Sequence, residues 1–268
     1  MPSIPVDVLL AILEHVSRAD LATLCRVNRI CCSFSRDVLY RNITVRDSRV
    51  RDSRVRDSRV TQTLAQSTDL AKRVRSFDSH SSHPTQELSV ALKNMSSLRH
   101  LDLFKNHDAT ILDGCTFQLV SFGCLFSYSE PLRKFLTSQP SLTYVEFLSG
   151  LYVSIPFEQT LLPNLTQVMA SYEWLPSLIP GRHVRSIITY PSENPYKPVC
   201  ADSDLSLFAL SAGPLQKLSV PFNFLYPKSA SLLISTFPLL MHLVLSYGPS
   251  YPGESAIVRK SSFITLVK

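Results

Sequence analysis

Leu98-Arg99-His100-Leu101-Asp102-Leu103 decides how this chain folds. Apolar residues at its first, fourth and sixth positions, with polar ones between, describe a short approach followed by a strand with one face turned inward. The pattern L-x-x-L-x-L recurs in looser form from Val74, Phe117, Leu142, Leu165, Val184, Leu215 and Leu240. Successive starts lie 24, 19, 25, 23, 19, 31 and 25 residues apart. Pro140, Pro163, Pro214 and Pro238 stand one or two residues before a start, where proline ends the preceding helix or turn. Residues 130–138, between two starts, carry Leu132, Phe135 and Leu136 on one helical side. One unit of strand, turn and helix cannot bury its apolar face alone, but stacked units can.

This spacing resembles that of leucine-rich repeats, whose period is about 20–29 residues. The resemblance implies an irregular α/β solenoid, with parallel strands on a concave face and helices or turns on the convex one. The units lack a regular Asn in the turn, and a mixed α/β domain without repeats is the alternative. The third and fifth positions of each unit point away from the core. His100, Asp102, Tyr144, Glu146, Gln167, Met169, Ile188, Lys217 and His242 are therefore expected on the concave face. Of these, His100, Asp102, Tyr144, Glu146, Lys217 and His242 are the candidate residues for binding a protein target. Residues 190–198 form a Pro-rich loop inside the longest interval, read equally as a functional loop and as a tolerated insertion. Residues 263–268 are a strand-like run with no polar cap after it, which reads as an exposed edge or a repeat domain truncated at its C-terminus.

Upstream, the character changes. Ile4-Pro5-Val6-Asp7-Val8-Leu9 opens a helix, with Pro5 and Asp7 suited to its first turn. Val6, Leu9, Leu10, Leu13 and Val16 make one apolar stripe, and Val8 and Ile12 make a second on a different face. Asp20 is a candidate cap for a second helix bearing Leu21, Leu24 and Cys25, and Asn28 ends that helix or caps the next. The third helix presents Cys31, Phe34 and Val38, with Leu39 and Tyr40 at its exit. Three helices in about 40 residues sit near the size at which a core of their own is marginal, so the second stripe wants a partner.

Residues 4–43 resemble the F-box. The hydrophobic–Pro–spacer–acid opening, the run Leu24-Cys25-Arg26-Val27-Asn28-Arg29 and the exit Leu39-Tyr40-Arg41-Asn42-Ile43 carry the resemblance, although the Trp common late in that motif is absent. It implies docking onto a Skp-type adaptor of a cullin–RING ubiquitin ligase. Ile4, Pro5, Val8, Leu9, Leu10, Ile12 and Leu13 are the expected docking residues. The expected function is a substrate-recognition adaptor that holds an unidentified protein target. The alternative is a repeat scaffold unconnected to ubiquitin, with the helices as its cap.

Residues 45–59 are Val-Arg-Asp-Ser-Arg three times over. A five-residue period matches neither helix nor strand, so the run reads as a flexible, solvated insertion. A sharper reading makes Ser48, Ser53 and Ser58 phosphorylation sites. The expected organisation is thus 1–44 helical module, 45–60 insertion and 61–268 repeat domain.

The same run decides the charge. The chain carries 27 basic and 21 acidic residues. Residues 46–60 hold six Arg against three Asp, and the rest is close to neutral. A basic stripe on a folded face, as nucleic acid needs, is not expected. Six cysteines without a C-x-x-C pair read as reduced, mostly buried thiols of a cytoplasmic or nuclear protein. Residues 1–20 contain Asp7, Glu14 and Asp20 and do not resemble a signal peptide, and no apolar run reaches the length of a membrane span. No nucleophile elbow, P-loop or dinucleotide fingerprint occurs. His80 and His83 are three apart but lack a Cys or carboxylate ligand nearby. Neither catalytic residues, metal nor cofactor is expected.

Overall fold

The strands form parallel ladders, and the register of those ladders fixes which side chains reach solvent. The computed structural model describes residues 5–45, 51–80, 85–105, 107–148, 158, 160–190, 203–221 and 235–246. Ile4, Ser48, His83, residues 191–198 of the Pro-rich loop and residues 263–268 lie outside them. By contact the chain divides into two units, Met1–Gln118 and Leu119–Lys268.

The first unit begins with three helices, α1 (Val6–Glu14), α2 (Arg18–Leu24) and α3 (Arg29–Arg41). The cap of α2 is Ser17 rather than Asp20: Ser17 Oγ accepts from Asp20 N–H at 3.2 Å and donates to the Asp20 carboxylate at 2.7 Å. Asp20 thus sits in the first turn, where its charge faces the helix dipole. Asn28 caps α3, its Oδ1 accepting from Cys31 N–H at 2.8 Å.

Three parallel strands follow: β1 (Asn42–Val45), β2 (Ser76–Ser79) and β3 (His100–Leu103). Ile43, Phe77 and Leu101 align across them and are buried. The expected boundary after residue 44 therefore falls inside a strand, because the exit of α3 supplies the first rung of the repeat sheet.

The Val-Arg-Asp-Ser-Arg run departs most from expectation. From Arg51 onward it is helical, forming the start of α4 (Arg51–Gln66), which leads into α5 (Thr68–Ala71). The reason lies at the other end of α4. Thr61 and Leu64 are fully buried, and α4 packs on α6 (Thr85–Asn94), whose Leu88, Ala91 and Leu92 are buried. The Asn94 amide closes the end of α4, donating to the carbonyls of Leu64 at 3.2 Å and Ala65 at 2.9 Å. Once those residues nucleate the helix, adding each upstream residue needs only a backbone hydrogen bond. The side chains of Ser53 and Ser58 lie outside the described residues. We predict that Leu64→Ala lowers the unfolding free energy by about 2–4 kcal/mol, measured by urea titration.

Among its described residues the second unit holds six parallel strands: β4 (Ser121–Cys124), β5 (Tyr144–Phe147), β6 (Gln167–Ser171), β7 (Ser186–Tyr190), β8 (Lys217–Pro221) and β9 (His242–Ser246). Each pairs in parallel with the next. The crossovers carry α7 (Glu130–Thr137), with Leu132, Phe135 and Leu136 buried as expected, then α8 (Leu175–Leu178) and α9 (Ser203–Phe208). Entry to each strand repeats one device. The carbonyl just before a strand accepts from two successive N–H groups of the next unit. Thr143 carbonyl takes Thr166 and Gln167, and Arg185 carbonyl takes Gln216 and Lys217, all at 2.8–3.0 Å. An identical bond pair at each step is what stacks strands in constant register.

The third repeat is framed differently from the sequence reading. Its strand starts at Ser121, so Leu119, and not Phe117, is the first position. Leu119 and Phe117 are both buried, which is why the pattern fits either frame. Pairing of Ser121 with Tyr144 selects one. The core behind these strands is aromatic: Phe122 lies 6.0 Å from Phe147, and Phe147 lies 4.7 Å from Trp174.

All five described cysteines are free thiols, but only Cys124 is buried; Cys25, Cys31, Cys32 and Cys115 are half-buried. Cys200 lies outside the described residues. Burial pushes the Cys115 thiol up to about 12. At pH 8 it stays protonated, and the thiolate is the reactive form. Alkylation with iodoacetamide, read by peptide mass spectrometry, is expected to label Cys31 well before Cys115.

Candidate functional site

On α1, the first apolar stripe and the second part company. Leu13 is 4% exposed and Leu9 and Leu10 are half-buried, so they hold α1 to its neighbours. Val8 and Ile12, one turn apart, are 48% and 52% exposed. Val6 belongs with them rather than with the core stripe, because α1 begins at Val6 and its first turn overhangs the bundle. Pro5 is exposed at the N-cap, one position before its expected place, and its carbonyl accepts from Leu9 N–H at 3.0 Å. Leu13, one of the expected docking residues, is buried. Ion pairs set the bundle: Glu14 on α1 with Arg41 on α3, and Asp37 on α3 with Arg73 after α5. Arg73 also meets Asp69 at 3.3 Å and the Ser33 carbonyl at 3.1 Å. Arg18 donates to the Asn42 carbonyl at 3.2 Å, fastening α2 to the head of β1. The three helices are therefore fixed onto the first strands of their own unit.

The strand face away from the core is the second candidate surface. In the first unit, Asp102 aligns with Asp78 and His100 with Ser76. Asp78 holds His80 at 3.0 Å, and His80 stacks on Phe104. In the second unit one row across the strands reads Ser121, Tyr144, Gln167, Ser186, Lys217 and His242, and the next reads Gly123, Glu146, Met169, Ile188, Ser219 and Val244. Tyr144, Glu146 and Met169 touch. Tyr144 Oη lies 2.9 Å from the Glu146 carboxylate and 3.2 Å from Met169 Sδ. Tyr190 Oη approaches the same sulfur at 3.6 Å. Lys217 and His242 are adjacent, three and four strands away from Glu146. No group of three or more His, Cys, Asp or Glu among the described residues could hold a metal, and no helix among them is long and apolar enough to cross a membrane.

Residues 1–42 match the F-box domain. The chain thus carries an F-box followed by leucine-rich-repeat-like units. The solved leucine-rich repeat-containing protein LegL7 from Legionella pneumophila is similar over 70% of each chain, at 15% identity and a TM-score of 0.46. No curated protein matches the chain.

Sequence reasoning overlooked two further exposed residues of the F-box, Val27 and Ile30, at 62% and 66%. They stand at the α2–α3 corner, where Asn28 interrupts the helical period, so no stripe pointed to them. Tyr190 was also missed as a face residue. It reads as the start of a Pro-rich loop, yet it ends β7 in line with Ser171.

Proposed function

We propose that the chain is the substrate-recognition adaptor of a Skp–cullin–F-box ubiquitin ligase. The F-box docks a Skp-type adaptor, the repeat units hold a protein target, and no bond is made or broken here. The target is presented at high effective concentration to a ligase acting elsewhere, in the cytoplasm or nucleus. One observation carries the reading: an F-box whose first helix anchors itself through Leu13 and still turns Val8 and Ile12 to solvent. An apolar stripe that the fold itself leaves uncovered is what a partner helix covers. Co-expression with a Skp-type adaptor is expected to give one complex on size exclusion; two separate peaks would refute the proposal.

The scaffold reading has an observation of its own. β1 pairs with β2, and Arg73 ties α3 to α5, as a cap on a repeat domain would require. A cap alone, however, has no need of exposed Val8 and Ile12.

A further inference from the structure

We infer that the groove between the end of α2 and one face of α3 binds a phosphate monoester through Arg26, Arg29 and Arg36. The groove uses none of the residues of the Val8–Ile12 stripe or of the open strand face.

Helical spacing builds one wall. Arg29, Cys32, Ser33 and Arg36 stand at i, i+3, i+4 and i+7 of α3, so they share a face. The end of α2 meets that face: Cys25 Sγ lies 4.0 Å from the Cys32 carbonyl oxygen, and Arg26 follows Cys25. Arg73 adds a further wall and donates to the Ser33 carbonyl at 3.1 Å. The cavity between them measures about 440 Å³, and every charged residue that lines it is an arginine. Arg73 is neutralised by Asp37 and Asp69. Arg26, Arg29 and Arg36 are exposed, and no carboxylate among the described residues pairs with them.

Three guanidinium groups around one cavity, without a counter-charge, call for an anion. Arg29 also opens α3, whose first turn holds no acid, and the positive end of the helix dipole favours a negative group there. The thiol wall does not oppose it: burial, and then the neighbouring Cys32, push the Cys25 thiol up, so it is uncharged at neutral pH. Arg29 and Arg36 are two turns apart, about 10 Å along the axis, and their long side chains can close on one anion from either end. A phosphate monoester brings close to two charges and three terminal oxygens, which arginine forks meet in pairs, whereas a carboxylate brings one charge and two oxygens. The cavity is larger than a phosphate alone, so it holds part of the carrier as well. No aromatic ring lines it to stack on a nucleobase, and no long aliphatic side chain lines it to cover an acyl chain. The carrier is therefore small and polar, either a phosphorylated side chain or a small phosphorylated molecule.

The test is isothermal titration calorimetry on the full chain with four probes: inorganic phosphate, glycerol 3-phosphate, a capped pentapeptide with a central phosphoserine, and the same peptide with glutamate in its place. The phosphoserine peptide or glycerol 3-phosphate is expected to bind at one site per chain, about tenfold more tightly than the glutamate peptide. Arg29→Gln combined with Arg36→Gln is expected to weaken that binding at least about tenfold, and Arg36→Lys to restore only part of it, because an ammonium cannot fork. Arg75→Gln combined with Arg99→Gln is the matched control: both are exposed arginines of the same unit outside the cavity, and binding is expected to stay unchanged. A phosphoserine peptide that outbinds glycerol 3-phosphate assigns the site to a phosphorylated side chain, and the reverse order assigns it to a small phosphorylated molecule. Binding of neither phosphate monoester, affinity equal to that of the glutamate peptide, or affinity equal to that of inorganic phosphate overturns the inference. Equal loss in the Arg75/Arg99 variant overturns it too, since attraction to the charge of the unit as a whole would then explain the binding.

Discussion

Val8→Asp combined with Ile12→Asp is expected to abolish recovery of a Skp-type adaptor while the chain keeps its thermal midpoint. Both side chains are about half exposed, so each carboxylate is solvated in the free protein and the fold loses little. In the proposed complex the same two positions would lie under the partner, where a buried carboxylate without a counter-charge is strongly unfavourable. Truncating a central interface residue commonly costs about 2–4 kcal/mol. A charge placed there does at least as much, which corresponds to roughly a thirtyfold to thousandfold loss of affinity. Leu13→Ala is the contrasting control: Leu13 is buried, so that variant is expected to lower stability by about 2–4 kcal/mol and to affect docking only through unfolding. Adaptor pull-down and differential scanning calorimetry on the same preparations separate the two. Undiminished adaptor recovery with the double variant would remove the docking assignment.

Arg182→Ala is expected to destabilise the second unit by about 3–5 kcal/mol, since each buried carbonyl left without a donor costs about 1–3 kcal/mol. Arg182 is 2% exposed, and no carboxylate among the described residues pairs with it. Its guanidinium instead gathers backbone carbonyls: Leu161 at 2.7 Å, Ser177 at 2.8 Å, Glu158 at 2.9 Å and Pro180 at 3.3 Å. Burial lowers its pKa from the usual guanidinium value, but an arginine remains charged at any physiological pH. The side chain holds together the turn before β6, which includes Leu162 in the left-handed region at φ 57°, and the end of α8. Gly181, at φ 73°, makes the bend that delivers it. Arg182→Lys is expected to recover only part of the loss, because an ammonium is a point donor and cannot fork to carbonyls on two segments. Trp174, the chain's one tryptophan, is fully buried in the same unit and reports urea unfolding of that unit by fluorescence.

Much of the fold was legible because it is written in alternation. Leu98, Leu101 and Leu103 announced an inward face, and so did Leu142, Val145 and Phe147; all six are buried. The helical spacing of Leu132, Phe135 and Leu136 was equally plain. Where apolar residues stand at every candidate position, alternation stops discriminating. Phe117, Leu119, Phe122 and Cys124 satisfy two frames, and only pairing with β5 rejects one. The Val-Arg-Asp-Ser-Arg run failed for the opposite reason. It has no periodic face, so it could announce no helix, and its helix is imposed from downstream by Leu64 and the Asn94 cap.

The docking surface was partly readable on the same terms. Spacing separated Val8 and Ile12 from the core stripe, but spacing cannot tell that Val6 overhangs or that Leu13 is covered, because burial depends on what packs alongside. Tyr190 gave no signal as a residue of the open strand face, since its meeting with Met169 joins positions 21 residues apart.

By itself, then, the sequence determined the periodicities: an F-box-like helical start, parallel repeat units, and the residues that alternate outward. Periodicity is a local property of the backbone and survives in a linear string. Only the tertiary structure decided the frame of the third repeat, the helix in the arginine-rich run, the carbonyl clamp of Arg182 and the contact of Tyr144, Glu146, Met169 and Tyr190. Each depends on inter-strand register or on burial, which join residues from separate units, and no local pattern encodes that distance.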